Sequence, residues 1–106
     1  SNNMIDYLAK QMAQHGEIRA STRWYPACSF VSDTAQALVS LIDKSPTVYL
    51  INSNTRWTFY EIVTALNENY GSNWKITPTE DFIYDQRMLD ARVTIPELNV
   101  RLPNLP

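Results

Sequence analysis

Only two glycines, Gly16 and Gly71, occur in the 106 residues, and this scarcity restricts the chain more than any other feature. A main chain that wraps a pyrophosphate needs closely spaced glycines, because residues with a Cβ keep the backbone away from the phosphate oxygens. The chain by itself therefore offers no such cradle for NAD or ATP. Its length suffices for one modest core. Nine Lys and Arg against eleven Asp and Glu give a formal charge of -2, without the basic excess that nucleic-acid binding requires, so no nucleic-acid partner is expected. No run approaches the roughly 20 apolar residues of a membrane helix, and the first residues lack the basic-then-apolar order of a signal peptide. The single cysteine, Cys28, can form neither an internal disulfide nor a thiolate metal site, which points to a reducing, cytoplasmic setting.

Hydropathy patterning predicts alternating helices and short strands. Residues 4–14 hold Ile5, Leu8 and Met12 at helical spacing and run into Gly16, a left-handed terminator, so a first helix is expected there. Residues 17–22 alternate Ile18 and Ala20 with polar neighbours, as a half-buried strand does. The Arg23-Trp24-Tyr25-Pro26 segment reads as a loop with two large aromatics. After the short extended run Ser29-Phe30-Val31, Asp33 is placed to cap a helix whose Ala35, Leu38, Val39 and Ile42 recur at i, i+3, i+4 and i+7.

Ser45-Pro46 breaks that helix, and Thr47-Val48-Tyr49-Leu50-Ile51 has the length and the β-branched or aromatic content of an interior parallel strand. A polar loop over residues 52–57 leads to Thr58, which with Glu61 forms a capping-box pattern ahead of Phe59, Ile62, Val63 and Leu66. This third helix should end near Gly71. Residues 74–77 read as a strand entering Pro78, and Thr79-Glu80-Asp81-Phe82 as a short helical turn. A last turn is expected at residues 95–98, in a tail that carries Pro96, Pro103 and Pro106. The expected fold is a small α/β domain over residues 1–106, with about three helices and short, mainly parallel strands.

Several side chains have chemistry to offer, each beside a plainer role. His15 sits at a helix end, where the dipole favours an imidazolium, and with no second histidine a zinc site lacks ligands. Cys28 is either a packed thiol or, if the fold brings His15 to it, half of a nucleophilic pair. Trp57, just before a helix cap, suits staple-like packing against that helix. Glu80, Asp81 and Asp85 form a solvated acidic face, or a weak site for a hard cation.

Three segments together resemble a known family. Phe30-Val31-Ser32-Asp33 entering an apolar helix, Val48-Tyr49-Leu50-Ile51-Asn52 before a loop, and Thr58-Phe59-Tyr60-Glu61-Ile62-Val63 are similar to the carboxyl-terminal half of extended short-chain dehydrogenases/reductases. The likeness extends from about Arg19 onward. Arg87-Met88-Leu89-Asp90 stands where the family's sugar-nucleotide epimerases carry an Arg-x-x-Asp pair, and Glu97-Leu98-Asn99-Val100 resembles its closing helix. Pro26 followed by Phe30 and Asp33 leans toward the dTDP-4-dehydrorhamnose reductase branch. Two features depart from the pattern: Tyr25-Pro26-Ala27-Cys28-Ser29 lacks an arginine often found there, and Asn52-Ser53-Asn54-Thr55 replaces a glycine-bearing loop.

The resemblance implies the lobe that clamps a nucleotide-diphosphate sugar, separated from an amino-terminal Rossmann domain that holds NAD or NADP. Such a chain is a fragment, with no cofactor of its own. The family's catalytic pair is a tyrosine with a lysine four residues on, and none of the six tyrosines has one, so this chain alone should catalyse nothing. Arg87 would grip the diphosphate bidentately and Asp90 would accept from ribose hydroxyls. A helical turn would put the two on one side; the alternative is a surface ion pair between them. Trp24 and Tyr25 would stack on base or sugar, or else plug the edge of the core. A standalone, non-catalytic interaction or dimerisation domain is the other reading, and homo-oligomers are expected of a lobe stripped of its partner.

Overall fold

The computed structural model describes residues 4–45, 47–70 and 73–106. Among them are four helices, three of them long, and two small parallel sheets, an α/β arrangement as expected. Helix α1, Met4–His15, buries Leu8 and leaves His15 exposed in its last turn. Gly16 closes it at φ 71°, the left-handed region that a side chain disfavours, and its N–H donates to the Met12 carbonyl at 2.8 Å.

Strand β1, Ile18–Ser21, leads into β2, Trp24–Tyr25, a two-residue strand where a loop was expected. Helix α2 is Val31–Ser40 and α3 is Phe59–Asn69; β3 is Ile76–Thr79, β4 is Tyr84–Asp85, and α4 is Leu98–Arg101. β1 pairs with β3 and β2 with β4, both in parallel, so two stretches of chain run side by side. Between Ser21↔Thr79 and Trp24↔Tyr84 the first stretch has two residues and the second has four. The surplus breaks the ladder: of residues 79–82, expected as a helical turn, Thr79 ends β3 and residues 80–82 lie in this step. Ser21 Oγ fills it by donating to the Phe82 carbonyl at 2.6 Å and accepting from Arg23 N–H at 3.0 Å.

β3 begins two residues later than the pattern suggested, because Trp74 is held by Asn67: Trp74 N–H donates to Asn67 Oδ1 at 3.1 Å. Pro78 lies inside β3 yet costs little, since β3 has a neighbour on one side only. The capping box of α3 is present as expected. Thr58 Oγ1 accepts from Glu61 N–H at 3.2 Å, and Glu61 Oε1 accepts from Thr58 N–H at 2.9 Å. The proposed stop at Gly71 lies outside the described residues. α4 starts three residues beyond the expected start of the last turn.

Helix α2 departs furthest from expectation. Its N-cap is Phe30, without a side-chain cap, and Asp33 falls within the first turn. The Asp33 carboxylate is 1% exposed and accepts from Arg101 Nε at 3.2 Å and Nη2 at 2.6 Å. It ties α4 to α2 instead of capping. The stripe expected to face the core faces outward: Leu38 is 54% exposed, Val39 68% and Ile42 75%, and Val31, expected as the end of an extended run, instead opens the helix and is 78% exposed. Residues 47–51 are not a strand either. They run without a ladder because neither two-stranded sheet reaches them, and side chains satisfy their backbone instead: Leu50 N–H donates to Asp90 Oδ2 at 3.1 Å, and Arg92 Nη2 to the Val48 carbonyl at 2.8 Å.

The core lies where α1 and α3 pack on β1 and β3. Leu8, Ile18, Trp57, Ile62, Val63, Leu98 and Leu102 are its best-buried large apolar side chains. Trp57, the residue before the α3 cap, sits in this cluster with Ile62 of the first helical turns, as a staple would, and its Nε1 donates to the Pro106 carbonyl at 2.8 Å. Among the described residues no helix is long and apolar enough to cross a membrane.

Candidate functional site

Alternation along β2 sends its two aromatics to opposite sides. Trp24 lines a groove of about 430 Å³ with Leu8, Ile18, Phe59 and Phe82. Its ring lies 4.5 Å from Phe59 and edge-on to Phe82 at 5.2 Å, and its Nε1 donates to Gln86 Oε1 at 2.7 Å. Trp24 thus closes the core edge. Tyr25 faces a separate shallow cleft, also about 430 Å³, with Thr22, Arg23, Ile83, Tyr84 and Asp85. That volume is within the range of small-molecule sites.

Arg87 lies against Tyr25, its guanidinium carbon 4.2 Å from the ring centroid. Asp85 fixes it there: Oδ1 accepts from Arg87 N–H at 3.0 Å and from Nε at 2.8 Å, and Oδ2 accepts from Nη2 at 2.6 Å. Nη1 points to the Thr55 carbonyl at 3.4 Å. The guanidinium holds the Asp85 carboxyl down at about 2, and the carboxylate in turn raises Arg87.

Asp90 repeats the arrangement with a different partner. Its Oδ1 accepts from Arg92 N–H at 3.0 Å and Nε at 2.9 Å, its Oδ2 from Nη2 at 2.8 Å, and Arg92 stands 4.6 Å over the Tyr49 ring. These bonds, with that from Leu50 N–H, hold the Asp90 carboxyl far below the usual range. The expected helical turn joining Arg87 and Asp90 does not form: residues 86–90 have no helix, and the two are brought neither to one side of a turn nor into a pair. Asp90, with only 6% of its side chain exposed, clamps the 47–51 segment.

Sequence reasoning weighed the i, i+3 spacing and missed Asp-x-Arg, present at Asp85-Gln86-Arg87 and Asp90-Ala91-Arg92. In both, the aspartate carboxylate accepts from the arginine's own backbone N–H two residues on, an Asx-turn that brings the guanidinium back onto the same carboxylate. The signal lies in the aspartate's capacity for this local turn, which the i, i+3 spacing does not show.

Two buried asparagines tie together the chain around Pro26, Cys28, Trp57 and Met88. Asn54 Nδ2 donates to the carbonyls of Pro26 and Trp57, each at 2.8 Å, while Oδ1 accepts from Trp57 N–H at 2.8 Å. Asn52 Oδ1 accepts from Cys28 N–H at 3.0 Å, and its Nδ2 reaches the Met88 carbonyl at 3.4 Å. They serve through side-chain bonds, not left-handed geometry: no described residue other than Gly16 has a positive φ.

The remaining candidates have quieter settings. Burial pushes the Cys28 thiol up to about 11, the reverse of nucleophile activation. Glu80 pairs with Arg23 at 3.3 Å, Asp81 with Arg19, and Asp85 with Arg87, so the acidic face is laced with arginines. Among the described residues no group of three or more His, Cys, Asp or Glu could hold a metal ion. Comparison with family models, curated proteins and solved structures finds no match.

Proposed function

We propose that this chain is the nucleotide-sugar-binding domain of an NAD(P)-dependent sugar-nucleotide reductase or epimerase, and that it is inactive without a separate coenzyme domain. The observation that supports this most is the Arg87 guanidinium laid over Tyr25 beside a ligand-sized cleft. An aromatic-backed guanidinium suits a ligand carrying both phosphate oxygens and planar rings. Arg87, stacked on the Tyr25 ring and bound to the Asp85 carboxylate, both of which line the cleft, contacts the diphosphate; Arg23 of the cleft wall is a second cation, and Tyr84 offers a ring to the base. Trp24 and Asp90 act behind the site, Trp24 as packing and Asp90 as the clamp of its neighbouring strand-like segment. Exposed Ile83, Tyr84, Met88 and Leu89 surround Arg87 in sequence, and they are the apolar surface against which a coenzyme domain would close.

Calorimetric titration with a nucleoside-diphosphate sugar and with the free sugar tests the reading. Binding of the first alone is expected, weakened about tenfold to a hundredfold by Arg87→Ala, the worth of a charge-assisted hydrogen bond. Equal affinity of the variant, or no binding at millimolar ligand, overturns it. The outward apolar face of α2 favours a second reading, a non-catalytic interaction domain, which a failure of that titration would leave standing.

A further inference from the structure

The cleft assigned above to a diphosphate is walled in part by a carboxylate. Asp85 lines it together with Tyr25 and Arg23, and its side chain is half exposed. An anion entering such a cleft meets a like charge, which a wall made for phosphate alone would leave out. Both neighbouring guanidiniums are compensated, Arg87 by Asp85 and Arg23 by Glu80 at 3.3 Å. These two ion pairs carry no net charge between them.

Asp85 nevertheless leaves Arg87 able to bind. Its carboxylate takes one side of the guanidinium, accepting from Nε at 2.8 Å and from Nη2 at 2.6 Å, and the Thr55 carbonyl accepts from Nη1 at 3.4 Å. Each terminal nitrogen has a second N–H, and these have no partner among the described residues. Tyr25 against the guanidinium and Asp85 along its side fix where these donors sit. The hydrogen-bonding capacity of Arg87 is kept while its charge is cancelled.

We propose that Asp85 selects the charge of the ligand: it holds Arg87 in place for a phosphate bearing one negative charge and disfavours one bearing two. The proposal rests on the nucleotide-sugar reading and narrows it. In the pyrophosphate of a sugar nucleotide both phosphates are esterified and each carries one charge, whereas the terminal phosphate of the sugar-free nucleoside diphosphate carries about two at neutral pH. The remaining N–H groups of Arg87 can donate to either, but repulsion from Asp85 roughly doubles with the second charge. The cleft thereby favours the intact sugar nucleotide over the diphosphate that would compete with it.

Calorimetry with the thymidine and uridine diphosphates, their terminal methyl esters and their glucose esters tests this, because the methyl ester removes the second charge without adding a sugar. Wild type should bind a methyl ester about threefold to tenfold more tightly than the free diphosphate, the reach of one charge pair at a solvated surface. High salt should shrink that preference. Asp85→Asn should abolish it, and Asp85→Glu, which restores the charge, should retain it. A merely structural role for Asp85 would lower the affinity for every ligand and leave their ratio unchanged. That result, or a wild type that prefers the free diphosphate, overturns the proposal, while the nucleotide-sugar reading stands if a glucose ester binds. Failure of every ligand to bind wild type overturns both.

Discussion

Asp33 near the start of α2 and Arg101 at the end of α4 are joined by two parallel hydrogen bonds, although 68 residues separate them in sequence. The carboxylate is almost fully buried and the guanidinium is 44% exposed in its side chain. The two members therefore carry unequal risk. Removing Arg101 strands a buried charge, whereas removing Asp33 releases a guanidinium that water can solvate. Arg101→Ala should lower the urea midpoint more than Asp33→Ala does. The reverse order would mean that Asp33 contributes chiefly through α2's dipole.

The Asp85 carboxyl is depressed in the folded chain to about 2, chiefly by its hydrogen bonds from Arg87. A carboxylate with a lowered folded value stabilises the fold above its unfolded value, near 4, and loses that contribution as pH falls through the folded value. Wild type should lose stability between about pH 4 and 2 more steeply than Asp85→Asn. Tyrosine fluorescence followed across this window should change as Arg87 leaves Tyr25, and acid titrations that overlay for the two proteins would exclude the linkage.

Cys28 gives the opposite limb. Burial raises its thiol from 9.0 to about 11, so the unfolded chain releases its proton first. The stability tied to the neutral thiol is fully present below about pH 9 and is lost as pH rises to about 11. Cys28→Ala should be less alkali-sensitive than wild type. Iodoacetamide labelling of the folded chain at pH 8 should be slow beside a free thiol, and rapid labelling would show a more exposed sulfur.

Thr58 supplies half of the reciprocal cap of α3, and the helix carries much of the core. Thr58→Ala should cost about 1 kcal/mol in chemical denaturation. Thr58→Ser keeps the oxygen and should recover most of it; equal losses for both would point to the methyl group instead.

The parts read correctly from sequence were those whose local signal and burial agree. Leu8 and Gly16 mark α1, and Thr58 with Glu61 marks α3, because a helix period and its terminators lie within a few residues. The α2 stripe was legible as a helix but not as a surface, since periodicity shows which residues share a face without saying what that face meets. Asp33 looked like a cap because its partner, Arg101, is remote. Residues 47–51 had the composition of a buried strand, yet composition does not provide a ladder partner. The Tyr25–Arg87 contact spans 62 residues, and only the pairing of β2 with β4 brings it about.

The buried pair Asn52 and Asn54 implies an order of events during folding. Asn52 and Asn54 complete their bonds only when the chain at Pro26 and Cys28, at Trp57, and at Met88 has arrived. Closing loops of 24 to 36 residues costs entropy before any bond repays it. The asparagine network should therefore form late, and mutations in this pair should accelerate unfolding while leaving the refolding rate nearly unchanged.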